Sequence, residues 1–132
     1  MKTILTFGVF DLLHYGHIEL FRKAKCLGDF LIVAVQSDKE AQINKPNIKL
    51  KNKLEKRILD VKAVNYVGRA IPYKQIDTSI ELVDFDVLVV GPDQNNDHFT
   101  KAINWCFKNN KEVVVLPRTD GISSTMLREK SK

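Results

Sequence analysis

"LTFGVFDLLHYGHIELFRKAKCLGDFLIVAVQ", Leu5 to Gln36, holds a short apolar run, a polar corner, a helical pattern and a second apolar run. The flanking runs are near-continuous in apolar residues rather than alternating, as strands covered on both faces are. Between them, Ile18, Phe21, Ala24 and Leu27 of "HIELFRKAKCLG" recur on one helical face, and Gly28 stands where a helix would end. Strand, helix and strand in that order predict two parallel strands joined by a right-handed crossover.

The same alternation continues outward. Runs of strand length recur at "TILTF", "FLIVAVQ", "YVGRAI", "DVLVVG" and "EVVVLP", with helical segments between them. The economical architecture is α/β: a Rossmann-like, doubly wound parallel sheet of about five strands. With 132 residues, 44% apolar and 28% charged, the chain suits one domain over residues 1–132. No repeat or low-complexity segment interrupts it. Cys26 and Cys106 lie among apolar residues without metal or redox spacing and read as reduced core residues. "MKTILTF" turns polar too early for a signal peptide or a membrane span, so the expected location is the cytoplasm.

In a doubly wound sheet, ligands bind beyond the carboxyl ends of the strands. Gly8 to Gly16 follows the first strand, Gly91 to Asp93 the fourth, and Pro117 to Thr125 the fifth, so three polar, glycine-bearing loops fall on one rim. In the first of them His14 and His17 flank Gly16, and His17 opens a helix. A helix amino terminus beside two imidazoles is suited to an anion. A metal would need more ligands nearby, and His98 belongs to a different loop. No G-x-S-x-G elbow, G-x-G-x-x-G or Walker lysine motif is present, which sets aside hydrolase, dinucleotide and P-loop chemistry.

Two further stretches favour phosphate. "NKPNIKLKNKLEKR" carries Lys45, Lys49, Lys51, Lys53, Lys56 and Arg57 within a chain of net charge +5. It has no aromatic residue to stack bases, so a small phosphorylated ligand fits it better than single-stranded nucleic acid. "RTDGISST" offers Arg118 as a phosphate fork, Gly121 as a turn, and Ser123, Ser124 and Thr125 as hydroxyls before the helical pattern of "TMLREKSK". The two ends of the chain together describe a grip on a polyphosphate.

These residues resemble a known family. "GVFDLLHYGH" is similar to the H-x-G-H signature of the nucleotidylyltransferase superfamily. "RTDGISST" resembles the R-T-x-G-I-S-T-T signature of its small bacterial cytidylyltransferases, nearest among them those acting on glycerol 3-phosphate. The resemblance spans nearly the whole chain. It implies a homodimer that uses magnesium carried by the triphosphate, with no metal held by the protein alone. It also implies transfer of CMP from CTP to a phosphorylated small molecule, with loss of pyrophosphate and no nucleic-acid or membrane partner. By the same resemblance His14, His17 and Arg118 are catalytic. The nucleotide site would take Phe7, Gly8, Val9, Asp11, Lys45, Arg57, Gly91, Asp93, Gly121, Ile122, Ser123, Ser124 and Thr125, and Lys49 would join Lys45 over the phosphates.

The chain departs from that family at Asn65-Tyr66-Val67-Gly68, where the pattern reads Arg-Tyr-Val-Asp, and at "GPDQNNDHF", where Pro92 appears and a tryptophan is missing. Loss of a forked cation and a carboxylate predicts an altered acceptor pocket. H-x-G-H alone also admits an adenylyltransferase using ATP and a sugar phosphate, and the basic run admits a nucleic-acid-binding module.

Overall fold

The computed structural model describes residues 1–91, 94 and 96–117. Strands β1 (Thr3–Gly8), β2 (Phe30–Gln36), β3 (Arg69–Tyr73), β4 (Val87–Val90) and β5 (Glu112–Val115) form one sheet in the order β3-β2-β1-β4-β5. Every neighbouring pair is parallel. The chain winds outward from β1 to β3, crosses back to β4, and winds the other way, which is the doubly wound arrangement expected. The crossovers carry α1 (Tyr15–Cys26), α2 (Asp38–Asn44), α3 (Leu54–Lys62), α4 (Ile76–Ser79) followed by a 3-10 turn, and α5 (Asp97–Lys108).

The near-continuous apolar runs have a direct cause, because successive strand residues enter different cores. Leu5, Phe7, Ile32, Ala34, Leu88 and Val90 pack with Ile76, Ile80, Phe99, Ala102 and Cys106 from α4, the turn and α5. Ile4, Leu31, Val33, Val35, Val87 and Val89 pack on the other face with Phe21 and Ala24 of α1 and Val61 of α3. Each such aliphatic side chain contributes roughly 1.5–3 kcal/mol by leaving water.

Three local expectations change. The third strand is "RAIPY" rather than "YVGRAI": Tyr66 and Val67 pack on the α1 side from a turn before the strand. Pro72, which cannot donate to a ladder, is tolerated because β3 is an edge. Ile18 is 36% exposed and drops out of the stripe expected on α1, whose Phe21, Ala24 and Leu27 pack as expected, with Leu20 beside them. Cys106 is buried as expected but Cys26 is exposed at the end of α1. Gly28 does follow the end of α1 as expected, and it also serves close approach: a Cβ there would stand 2.7 Å from the Lys2 carbonyl, which receives the amides of Asp29 and Phe30.

Candidate active site

The order reverses between β1 and β4, and the loops leaving these strands open the crevice where such sheets bind ligands. After β1 the chain turns sharply. Phe10 adopts φ 52, unusual for an aromatic residue, and its buried ring folds back over Gly8. A Cβ on Gly8 would meet that ring at 2.6 Å, so the glycine exists to admit Phe10. The left-handed residue costs on the order of 1–3 kcal/mol and persists only where surrounding contacts fix it. Phe10 also packs edge-on against Phe21 at 5.1 Å and against the His17 ring at 5.5 Å. It thereby sets where that histidine stands.

His14 is the N-cap of α1, its Nδ1 accepting the Gly16 amide at 3.0 Å, while the Nδ1 of His17 accepts the His14 amide at 3.4 Å. Since each Nδ1 accepts, the proton of either neutral ring lies on Nε2. The rings stack with centroids 3.9 Å apart. Burial, and secondarily the neighbouring His14, lower the pKa of His17 to about 4. It is therefore a neutral donor at physiological pH. The first turn of α1 contains no acidic residue, and its last turn carries Lys23 and Lys25. The positive end of the helix dipole thus faces the rim uncompensated, as an anion site requires.

Asp11 and Arg57 both join this loop to the basic segment. The Asp11 carboxylate accepts the amides of Lys51 at 2.8 Å and Asn52 at 2.9 Å, and its carbonyl accepts the Asn52 side chain at 3.0 Å. Arg57 is fully buried and donates to the carbonyls of Val9, Gln36 and Asn52 at 2.8, 2.7 and 3.1 Å, and to the Asp38 carboxylate. Asp38, Gln42, Leu50, Lys51, Asn52 and Lys53 line a groove beside these bonds. Lys45 and Lys49 are exposed and carry no ion pair among the described residues.

At the end of β4 a residue that motif reading passes over closes the crevice. The ladder between β1 and β4 runs to Thr6 and Val89; beyond it Gln94 accepts the Gly91 amide at 2.9 Å and donates to the Phe7 carbonyl at 2.6 Å. Phe7 itself is a core side chain, edge-on to Tyr73, and reaches the rim only through its backbone. Asp93, Arg118, Gly121, Ile122, Ser123, Ser124 and Thr125 lie outside the described residues. Among the described residues no three His, Cys, Asp or Glu side chains converge on a point that could hold a metal ion. The departure at Asn65 and Gly68 is elsewhere. The Gly68 amide bonds to the Leu31 carbonyl, level with Ile4, so this turn stands at the amino end of the sheet, about 13 Å along the strands from Gly8. It does not line the rim, contrary to the acceptor-pocket expectation.

Comparison with known proteins gives the family. The model of the family described as Cytidylyltransferase-like matches residues 5–130. A glycerol-3-phosphate cytidylyltransferase of Staphylococcus aureus (strain NCTC 8325 / PS 47) is 39% identical over 132 residues, covering 98% of this chain and 94% of that protein. The protein of the same name from Bacillus subtilis (strain 168) is also 39% identical, covering 98% and 96%. The bifunctional protein HldE of Escherichia coli O1:K1 / APEC is 35% identical, and the match takes in 98% of this chain but 27% of that protein. Among solved structures, the lipopolysaccharide core biosynthesis protein of Thermoplasma volcanium GSS1 superposes with a TM-score of 0.73 at 30% identity, covering 90% of this chain and 97% of that one. No helix among the described residues is long and apolar enough to cross a membrane.

Proposed function

The chain belongs to the cytidylyltransferase-like family, and from that premise we propose that it transfers CMP from CTP to glycerol 3-phosphate. It is a CTP-dependent cytidylyltransferase. The observation that carries the mechanism is the stacked His14–His17 pair on the acid-free amino terminus of α1. The acceptor phosphate is already ionised at neutral pH and needs no base. Its oxygen attacks the α-phosphorus in line, the bond to the bridging oxygen of pyrophosphate breaks, and charge grows on the non-bridging oxygens. The Nε2–H groups of the histidines and the helix dipole stabilise that charge; each donor is worth roughly 3–4 kcal/mol of barrier. A neutral His17 suits this task, since it donates without taking the acceptor's proton.

Magnesium fits as an ion brought by the triphosphate, because Asp11, the acidic residue of the first loop, spends both carboxylate oxygens on amides. Its chemistry would be to neutralise phosphate charge. Glycerol 3-phosphate is favoured by the glycerol-3-phosphate cytidylyltransferases that are 39% identical along the chain. The departure at Asn65 and Gly68 does not weigh against it from the far end of the sheet. A homodimer in the cytoplasm completes the reading and is checked by sedimentation and cell fractionation.

The deciding experiment supplies CTP or ATP with magnesium to glycerol 3-phosphate and to polyol and sugar phosphates, and follows pyrophosphate. Turnover with CTP and glycerol 3-phosphate is expected. Turnover with ATP alone overturns the nucleotide, and preference for another phosphate overturns the acceptor.

A further inference from the structure

Asp11 and Arg57 are two of the charged residues that motif resemblance assigns to the nucleotide, yet both are committed to the protein's own backbone. We propose that they are positioning residues that together latch the Lys51–Asn52 peptide to the loop after β1, holding the lysine segment 45–53 at the rim without touching substrate.

Arg57 supplies the first half of the argument. Its side chain has no exposure, and turning its fork toward a phosphate would strip hydrogen bonds from the carbonyls of Val9 and Gln36. Those carbonyls would then be left without the donor that replaces their water. Its anionic partner, Asp38, is 41% exposed at the head of α2, so the fork joins the end of β2, the start of α2, the lysine segment and the first loop.

Asp11 supplies the second half. A carboxylate would repel a triphosphate, but here its oxygens accept consecutive amides of Lys51 and Asn52. Asn52 is the shared component: its amide and side chain bond to Asp11, and its carbonyl accepts Arg57. Val9 and Asp11 flank Phe10, the residue at φ 52. The latch therefore fixes the strained loop from both sides while it anchors the cations opposite. Lys49, Lys51 and Lys53 alternate with residues turned toward the protein, so anchoring this backbone fixes where their charge is presented.

The significance for turnover rests on the proposed cytidylyltransferase reaction, whereas the latch itself is measured without nucleotide. Backbone hydrogen exchange of Lys51 and Asn52 is compared in the parent protein, Asp11→Asn, Asn52→Ala and Arg57→Lys, alongside kcat and KM for CTP and glycerol 3-phosphate. Asp11→Asn should accelerate exchange at both amides tenfold or more. KM should rise at least tenfold while kcat at saturation changes less than threefold. Asn52→Ala, which removes only the side-chain bond, should shift both readouts in the same direction by less. Arg57→Lys should add less than its separate effect when combined with Asp11→Asn. Unchanged exchange with a collapsed kcat would show that Asp11 touches the reacting groups and overturn the proposal. Should Arg57→Lys fail to fold, the Asp11 and Asn52 variants decide it. Absence of turnover in the parent, with exchange responding as stated, would refute the proposed reaction and leave the latch standing.

Discussion

The two ends of the sheet handle a missing side chain in opposite ways. At the carboxyl end, Gly8 makes room for Phe10, whose ring positions His17 beside His14. At the amino end, Gly68 lies against the Phe30 ring, and its amide bonds to the Leu31 carbonyl. Both glycines stand where a Cβ would press on an aromatic ring, but one ring orders a loop of hydrogen-bonded chemistry and the other fills a packing site. A glycine in a motif position therefore tells which backbone approaches a ring, and only the neighbours tell whether function follows.

Substitutions at the two ends should separate them, beginning with the largest effect. His17→Ala removes a donor from the charge that grows in the transition state, and kcat with CTP should fall by roughly a hundredfold or more. Near-parent turnover at saturating magnesium would take His17 out of the site.

The same histidine should leave a signature in stability. Its folded pKa of about 4 lies below the ordinary imidazole value of 6.5, so between those values the unfolded chain binds the proton and the native state does not. Stability contributed by the neutral ring is complete above pH 6.5, is lost as pH falls toward 4, and is then constant, a change of roughly 3 kcal/mol at most. Denaturant titrations should show that slope in the parent, and His17→Gln should flatten it.

Gly8→Ala should come next. The new methyl group displaces the Phe10 ring, costing about 1–3 kcal/mol as overpacking does, and kcat/KM should drop about tenfold because the His17 wall moves. Adding Phe10→Ala should remove the clash but recover neither stability nor activity, because the buried ring is lost with it; calorimetry and pyrophosphate release check both.

The smallest effect on activity belongs to the amino end. Gly68→Ala brings a Cβ to 2.4 Å from the Phe30 ring and should cost about 1–3 kcal/mol of stability, as overpacking does, whereas Asn65→Arg adds a solvated cation and should shift it by about 0.5 kcal/mol or less. kcat/KM for glycerol 3-phosphate should stay within twofold. A tenfold change would return this turn to the substrate.

The sheet and the histidines were legible for physical reasons. Strands covered on both faces cannot alternate, so their apolar runs stand out, and His14 with His17 at helix spacing after a strand end admits few structural uses. Direction was not legible. Arg57 is identified by motif, but whether its fork faces phosphate or carbonyls depends on the course of Val9, Gln36 and Asn52, which belong to three separate segments. Phe10 was overlooked because a left-handed backbone leaves no mark in composition. Gln94 resembles any loop amide; the signal was available in the need of a diverging β1–β4 pair for one donor and one acceptor. The start of β3 was misjudged because apolar residues in a turn and in a strand look alike when the turn packs on a core.

The central place of β1 also sets an order of events at the ribosome. Its partner on one side, β2, follows it closely in the chain, whereas its partner on the other, β4, begins only at Val87. At elongation rates of about 5–20 residues per second, Thr3 to Gly8 waits for several seconds with one hydrogen-bonding edge open. That edge is apolar and able to pair with a strand from another nascent chain. The amide of Gln94, arriving later still, is the last described connection across the crevice, so the floor of the site is completed only after β1 to β4 have been made.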